Sequence, residues 1–211
     1  TTEYPEGAFR REDETDDGLF YTQPRLVVHI DEHAVEAVAS YFERALPRDG
    51  AILDLMSSWR SHWPQGHPKE RMVGLGLNAT EMQANPDLEE YVIHNVNEEP
   101  VLPFEDESFD AVVITVSVQY LTRPGETFHQ VNRILKTGGV LIVTFSNRMF
   151  PTKAVRLWRG TSDQGHLDMV VSYLEYAGEF EDINGVLTNP EDRGRSDPLF
   201  AVIARKISAQ Q

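Results

Sequence analysis

The 211-residue chain contains no cysteine, which excludes disulfides, thiolate metal ligands and a cysteine nucleophile together. No apolar run approaches the roughly 18 residues of a membrane helix, and no signal-peptide pattern opens the chain. It begins with Thr rather than Met, as a processed or trimmed start would. Basic residues are scarce: 19 Lys and Arg stand against 34 Asp and Glu, a formal charge of -15. That balance repels nucleic-acid backbone and anionic membrane surfaces. The basic residues are scattered, with one modest cluster over 148–159. His29, His33, His62 and His67 lack metal-ligand spacing, so no metal site is assigned. The G-x-G-x-x-G fingerprint of nicotinamide enzymes is missing after the first predicted strand. These absences lead to an expectation of a cytoplasmic protein with neither a nucleic-acid nor a membrane partner; nothing in them fixes an oligomeric state.

What is present is ordinary globular material, 40% hydrophobic and 9% aromatic. One domain over 47–207 is expected, preceded by a 1–46 region of arm, lid segment and first helix. Residues 1–20 hold seven acids and two bases and read as a mobile or loosely docked arm. FYTQPRLVVHID (20–31) mixes aromatic and apolar residues with Arg25 and His29, so it should pack as a lid. Asp31 can cap a helix whose buried stripe is Ala34, Val35, Val38, Phe42 and Ala45.

The stretch AILDLMSSWRSHW (51–63) organises the rest. Its apolar start is a buried strand ended by Asp54, and the polar turn after it lies where open α/β sheets bind ligands. Strands are expected at 71–78, 91–94, from 108, and at 140–146, alternating with helices at 80–84 and from Pro124. Residues 136–139 read as a turn and 151–158 as a short helix. Ser162 and Gly178 bracket another helix, and two strands follow without a helix between them. The expected fold is α/β: a Rossmann-like, doubly wound, mostly parallel seven-stranded sheet with an antiparallel C-terminal edge strand.

From LPF at 102–104 through SFDAVV, a helix ending in RILK, and TGG before a strand, residues 102–147 are similar to class I S-adenosylmethionine-dependent methyltransferases of the methyltransferase type 11 group. The resemblance is to a subgroup with the glycine-free turn DLMSSW (54–59) in place of the glycine-rich motif. It implies S-adenosylmethionine as cofactor. Asp54, Ser57 and Ser58 would meet its amino acid end, Asn78 its ribose, and Met82, Asn95 and Val96 its adenine, with Met56, Gly76 and Leu77 as further cofactor contacts. Ser57 and Ser58 can equally cap the turn, and Met82 can equally be core. Val116, Ser117 and Val118 would end the fourth strand beside the transferring methyl, with Ser117 a cofactor contact. Tyr21, Arg25, Tyr120 and Arg148 are candidates for the acceptor, Gln119 a further neighbour. Arg148 and Lys153 would favour a small molecule carrying a carboxylate or similar anion. The implied activity is methyl transfer to a small-molecule acceptor, which requires no catalytic triad. The alternative is a non-catalytic or regulatory protein that binds S-adenosylmethionine or S-adenosylhomocysteine on the same fold.

Overall fold

A computed structural model describes residues 4–192 and 194–208. The elements run α1 (Asp17–Phe20), α2 (Glu32–Ala45), β1 (Ala51–Leu55), β2 (Arg71–Gly76), α3 (Ala79–Gln83), β3 (Glu90–Ile93), β4 (Phe109–Thr115), α4 (Pro124–Ile134), β5 (Leu135–Phe145), α5 (Arg156–Arg159), α6 (Asp163–Ala177), β6 (Phe180–Leu187) and β7 (Phe200–Lys206). The strands form one seven-stranded sheet in the order β3-β2-β1-β4-β5-β7-β6. β7 runs antiparallel to both of its neighbours; the other pairs are parallel. The C-terminal strand is therefore antiparallel as expected, but it lies one place in from the edge.

Alternation along the strands divides the core into two layers. Leu53, Val112, Ile114, Leu141 and Val143 face α4 and α6. Ile52, Ala111, Val113, Val140 and Ile142 face the Ala34, Val38 and Phe42 stripe of α2. The Asp31 carboxylate accepts from Ala34 N at 3.0 Å and starts α2. α6 begins at its Ser162 cap and stops at Gly178, which takes the left-handed conformation that favours glycine.

Three further expectations change. β1 continues through Asp54 to Leu55, with Asp54 in register between Gly74 and Val113. The 136–139 turn lies inside β5: Leu135 already pairs with Phe109, and the register slips before Val140 rejoins Ala111. Positive φ at Gly138 accommodates that irregularity. Within 151–158, helix forms only from Arg156.

The N-terminal arm is firmly docked. Ala8 and Arg10 carbonyls accept from Leu157 and Arg156 N, and Asp13 N donates to the Thr152 carbonyl. Tyr4 shares a 2.6 Å hydrogen bond with Ser172 and meets Phe9 and Tyr173 edge-on. The acid-rich composition concealed these apolar anchors. Lys153, fully buried, donates to the Thr15 carbonyl at 2.7 Å and pairs with Asp17 at 3.2 Å and Asp13 at 3.3 Å. Lys153 thus fastens the arm and faces no acceptor, correcting the substrate role expected for it.

Candidate active site

The carboxyl ends of β1, β2, β4 and β5, together with the loop after β3, surround one cavity of about 480 Å³. Of residues 20–31, Tyr21, Arg25, Val27, Val28, His29 and Ile30 line it. Among the residues expected at the site, Asp54, Met56, Ser57, Ser58, Gly76, Leu77, Asn78, Asn95, Val96, Ser117, Tyr21, Arg25, Tyr120 and Arg148 line this cavity. Met82 does not: it is buried, with its sulfur packed behind Gly76. Gln119 is also wholly buried and donates to the carbonyls of Val116 and Arg148, joining the ends of β4 and β5.

Asp54 sits on the cavity floor, 2% exposed. Burial pushes its carboxyl up to about 6, although Ser57 and Ser61 hydroxyls both donate to it. The chain then turns sharply at Met56, whose φ is 62. A glycine would relieve that conformation, so the glycine-free turn is strained. It closes tightly against β2 instead, where Ser57 N donates to the Leu75 carbonyl at 2.8 Å. A Cβ at Gly76 would lie 2.4 Å from the Ser57 carbonyl oxygen. The close approach usually provided by glycine in the first turn is provided here by glycine in the neighbouring strand. His62 and Val116 also have positive φ and line the cavity. For a β-branched residue such as Val116 this is a marked outlier, of the kind that gathers at functional sites.

Asn78 has a different local role from a free ribose contact. Its side-chain carbonyl caps α3 by accepting from Glu81 N, and its amide donates to the Tyr21 carbonyl at 2.8 Å. Two more bonds hold the lid: Arg25 N donates to Glu81, and the Trp59 indole donates to the Val27 carbonyl. Arg25 lies over the rings of Phe20, Tyr21 and Phe150, and its Nη1 is buried without a partner. Tyr120 accepts from Phe150 N and keeps its own phenol proton, since burial pushes its pKa to about 12. At the rim, Arg148 lies 3.8 Å from Asp197.

Sequence reasoning missed Glu81, His62, Asn97 and Asp17 on this wall. Glu81 was legible only as a first-turn acid of α3. Burial holds the His62 imidazole down to about 4, neutral at pH 7. Asn97 accepts from Thr122 N and donates to Asp17, joining the arm to the loop after β3.

The wall suits a ligand with polar and apolar parts. Thr115 and Ser117 hydroxyls, both on the cavity, are buried without partners, and Asp54 is not paired with a cation in any salt bridge among the described residues. Those groups match the hydroxyls, carboxylate and ammonium of an aminoacyl nucleoside, and Val96 with Asn95 offers an apolar slot beside one amide.

No curated protein matches the chain in sequence. The fold matches a chain in the complex of the Haloferax volcanii Trm112 methyltransferase activator with a methyltransferase (15% identity, 85% of this chain and 92% of that one, TM-score 0.61). It also matches an S-adenosylmethionine-dependent methyltransferase from Mesorhizobium loti (16%, 81% and 98%, 0.58). Haemonchus contortus phosphoethanolamine N-methyltransferase 2, solved with S-adenosylmethionine, is similar too (15%, 82% and 52%, 0.56). At these identities the likeness is one of fold. A family model described as a methyltransferase domain matches residues 66–143, beginning just after the glycine-free turn and ending in β5. Residues 66–143 are thus similar to a methyltransferase domain, and the strand order with the cavity at the strand ends is the fold shared with those methyltransferase structures.

Proposed function

We propose that the chain is an S-adenosylmethionine-dependent methyltransferase acting on a small-molecule acceptor, preferably one bearing a carboxylate or similar anion, held beneath residues 20–31. The observation that carries the reading is the cavity itself: about 480 Å³, with a lid tied down at Asn78, Glu81 and Trp59. A space of that size suits a small ligand, and a charge of -15 disfavours a nucleic-acid acceptor. Asp54, Ser57 and Ser58 would hold the amino acid end of S-adenosylmethionine, and Asn95 and Val96 its adenine. Bound there, S-adenosylmethionine would supply an activated sulfonium methyl for the acceptor's nucleophile, with S-adenosylhomocysteine as the leaving group.

The chain's own task is then alignment and exclusion of water. Ser117 and Thr115 present unpartnered hydroxyls at the end of β4. Arg25 Nη1 and the Tyr120 phenol are the donors facing an anionic acceptor, with Arg148 at the rim. Arg25 takes the place that sequence reasoning gave to Lys153. The test is incubation with methyl-labelled S-adenosylmethionine and a broad metabolite panel, alongside RNA, DNA and protein. Label in a small carboxylate-bearing product is expected. Methylation of macromolecules alone, strongly salt-dependent, would overturn the choice of acceptor.

A further inference from the structure

We propose that Glu81, and not a residue at the end of β2, is the carboxylate that receives the cofactor's ribose hydroxyls. The proposal rests on the methyltransferase reading above, and it starts from a steric exclusion. Rossmann-type sheets place a ribose-binding acid at the end of the second strand, where this chain has Gly76. No side chain can stand there, because its first carbon would come within 2.4 Å of the Ser57 carbonyl oxygen. Asn78 is engaged at both ends, its carbonyl with Glu81 N and its amide with the lid.

Of the acids lining the cavity, Asp17 is paired with Arg11 and Lys153 and Asp54 lies on the floor at the end of β1, which leaves Glu81 beside Gly76 and Asn78. Glu81 projects from the first turn of α3, lines the cavity and is 6% exposed. One carboxylate oxygen accepts from Arg25 N at 2.7 Å and the other from Ser58 Oγ at 2.7 Å. No cation pairs with it in any salt bridge among the described residues. An ionised carboxylate has about four acceptor positions, so two bonds leave capacity for two hydroxyl donors. A buried charge without a cation gains from such donors. The ribose acid has thus moved from strand to helix, because the glycine-free turn occupies its usual place. The same carboxylate holds the lid, so ribose binding and closure meet at one side chain.

The test is calorimetric titration of the full chain with S-adenosylhomocysteine and with its 2′-deoxy analogue, on wild type and Glu81→Gln. Glutamine can still accept from Arg25 N and bond Ser58, so the local frame persists while the charge is lost. We expect E81Q to bind S-adenosylhomocysteine about 10- to 100-fold more weakly, with most of that loss disappearing for the deoxy analogue. Equal loss for both ligands would mean a structural role and overturn the proposal, as would unchanged affinity. Failure of wild type to bind S-adenosylhomocysteine would overturn the methyltransferase reading as well. Should E81Q unfold, Glu81→Asp, which keeps the charge but withdraws it, is put through the same comparison and the same two outcomes decide.

Discussion

Burial without a cation raises the Asp54 carboxyl from 3.8 to about 6, with the Ser57 and Ser61 hydroxyls countering only part of the shift. Between those two values the folded protein retains a proton that the unfolded chain has released. Stability therefore falls as pH rises through that window, and the full cost stands at pH 7. Asp54→Asn should stabilise the protein at pH 7 by about 1–3 kcal/mol, seen as a melting temperature several degrees higher, and the gain should vanish near pH 4. The same variant should bind S-adenosylhomocysteine more weakly, since it removes the carboxylate facing the ligand's ammonium. A variant that melted lower at pH 7, or bound as tightly, would remove Asp54 from this role. Asp54 was legible in the sequence because an acid at the end of a buried apolar run has one conventional place in an α/β sheet. Glu81 was not, because a first-turn glutamate already has a local explanation in the helix dipole. Asn78 lies on the cavity wall, yet helix capping and lid binding engage its amide in ways that spacing along the chain does not encode.

Between elements, the lid is the feature with a kinetic consequence. Its hydrogen bonds to the rim come from Asn78 and Glu81 at the start of α3 and from Trp59 in the turn after β1. Ligand release requires the lid to lift, so losing one bond should act mainly on dissociation. Trp59→Phe keeps the aromatic bulk and removes only the donor to Val27. It should raise the S-adenosylhomocysteine off-rate about 2- to 10-fold with little change in on-rate, measured by stopped-flow fluorescence. Equal off-rates would mean that this bond does not restrain the lid. That 20–31 packs against the body was readable because the segment is too apolar for a free tail. The start of β5 was not, since TGG reads as a turn and only pairing with Phe109 extends the strand back to Leu135. The order of the last two strands was likewise hidden, because adjacency across a sheet depends on tertiary pairing.

Over the whole molecule, the arm and the sheet are joined by buried charge. In the sequence, residues 1–20 read as a mobile or loosely docked arm, and Lys153 changes that expectation. Its ammonium is fully buried, and its ionic partners and carbonyl acceptor, Asp13, Asp17 and Thr15, all lie in the arm. Asp17 is itself 3% exposed and also holds Arg11 at 2.6 Å. Deleting residues 1–19 would leave the lysine charge uncompensated in the interior, at a cost of about 3–5 kcal/mol. The decisive comparison is with Lys153→Met, which fills similar volume without charge. In the full chain this change should destabilise, because it strips Asp17 of one counter-ion. In the shortened chain the same change should stabilise, because it removes the orphaned charge. Urea unfolding of the four proteins measures this reversal of sign, which independent sites would not produce. If Lys153→Met destabilised both backgrounds equally, the arm would be held by its apolar anchors, Tyr4 and Phe9, and not by the ion pairs.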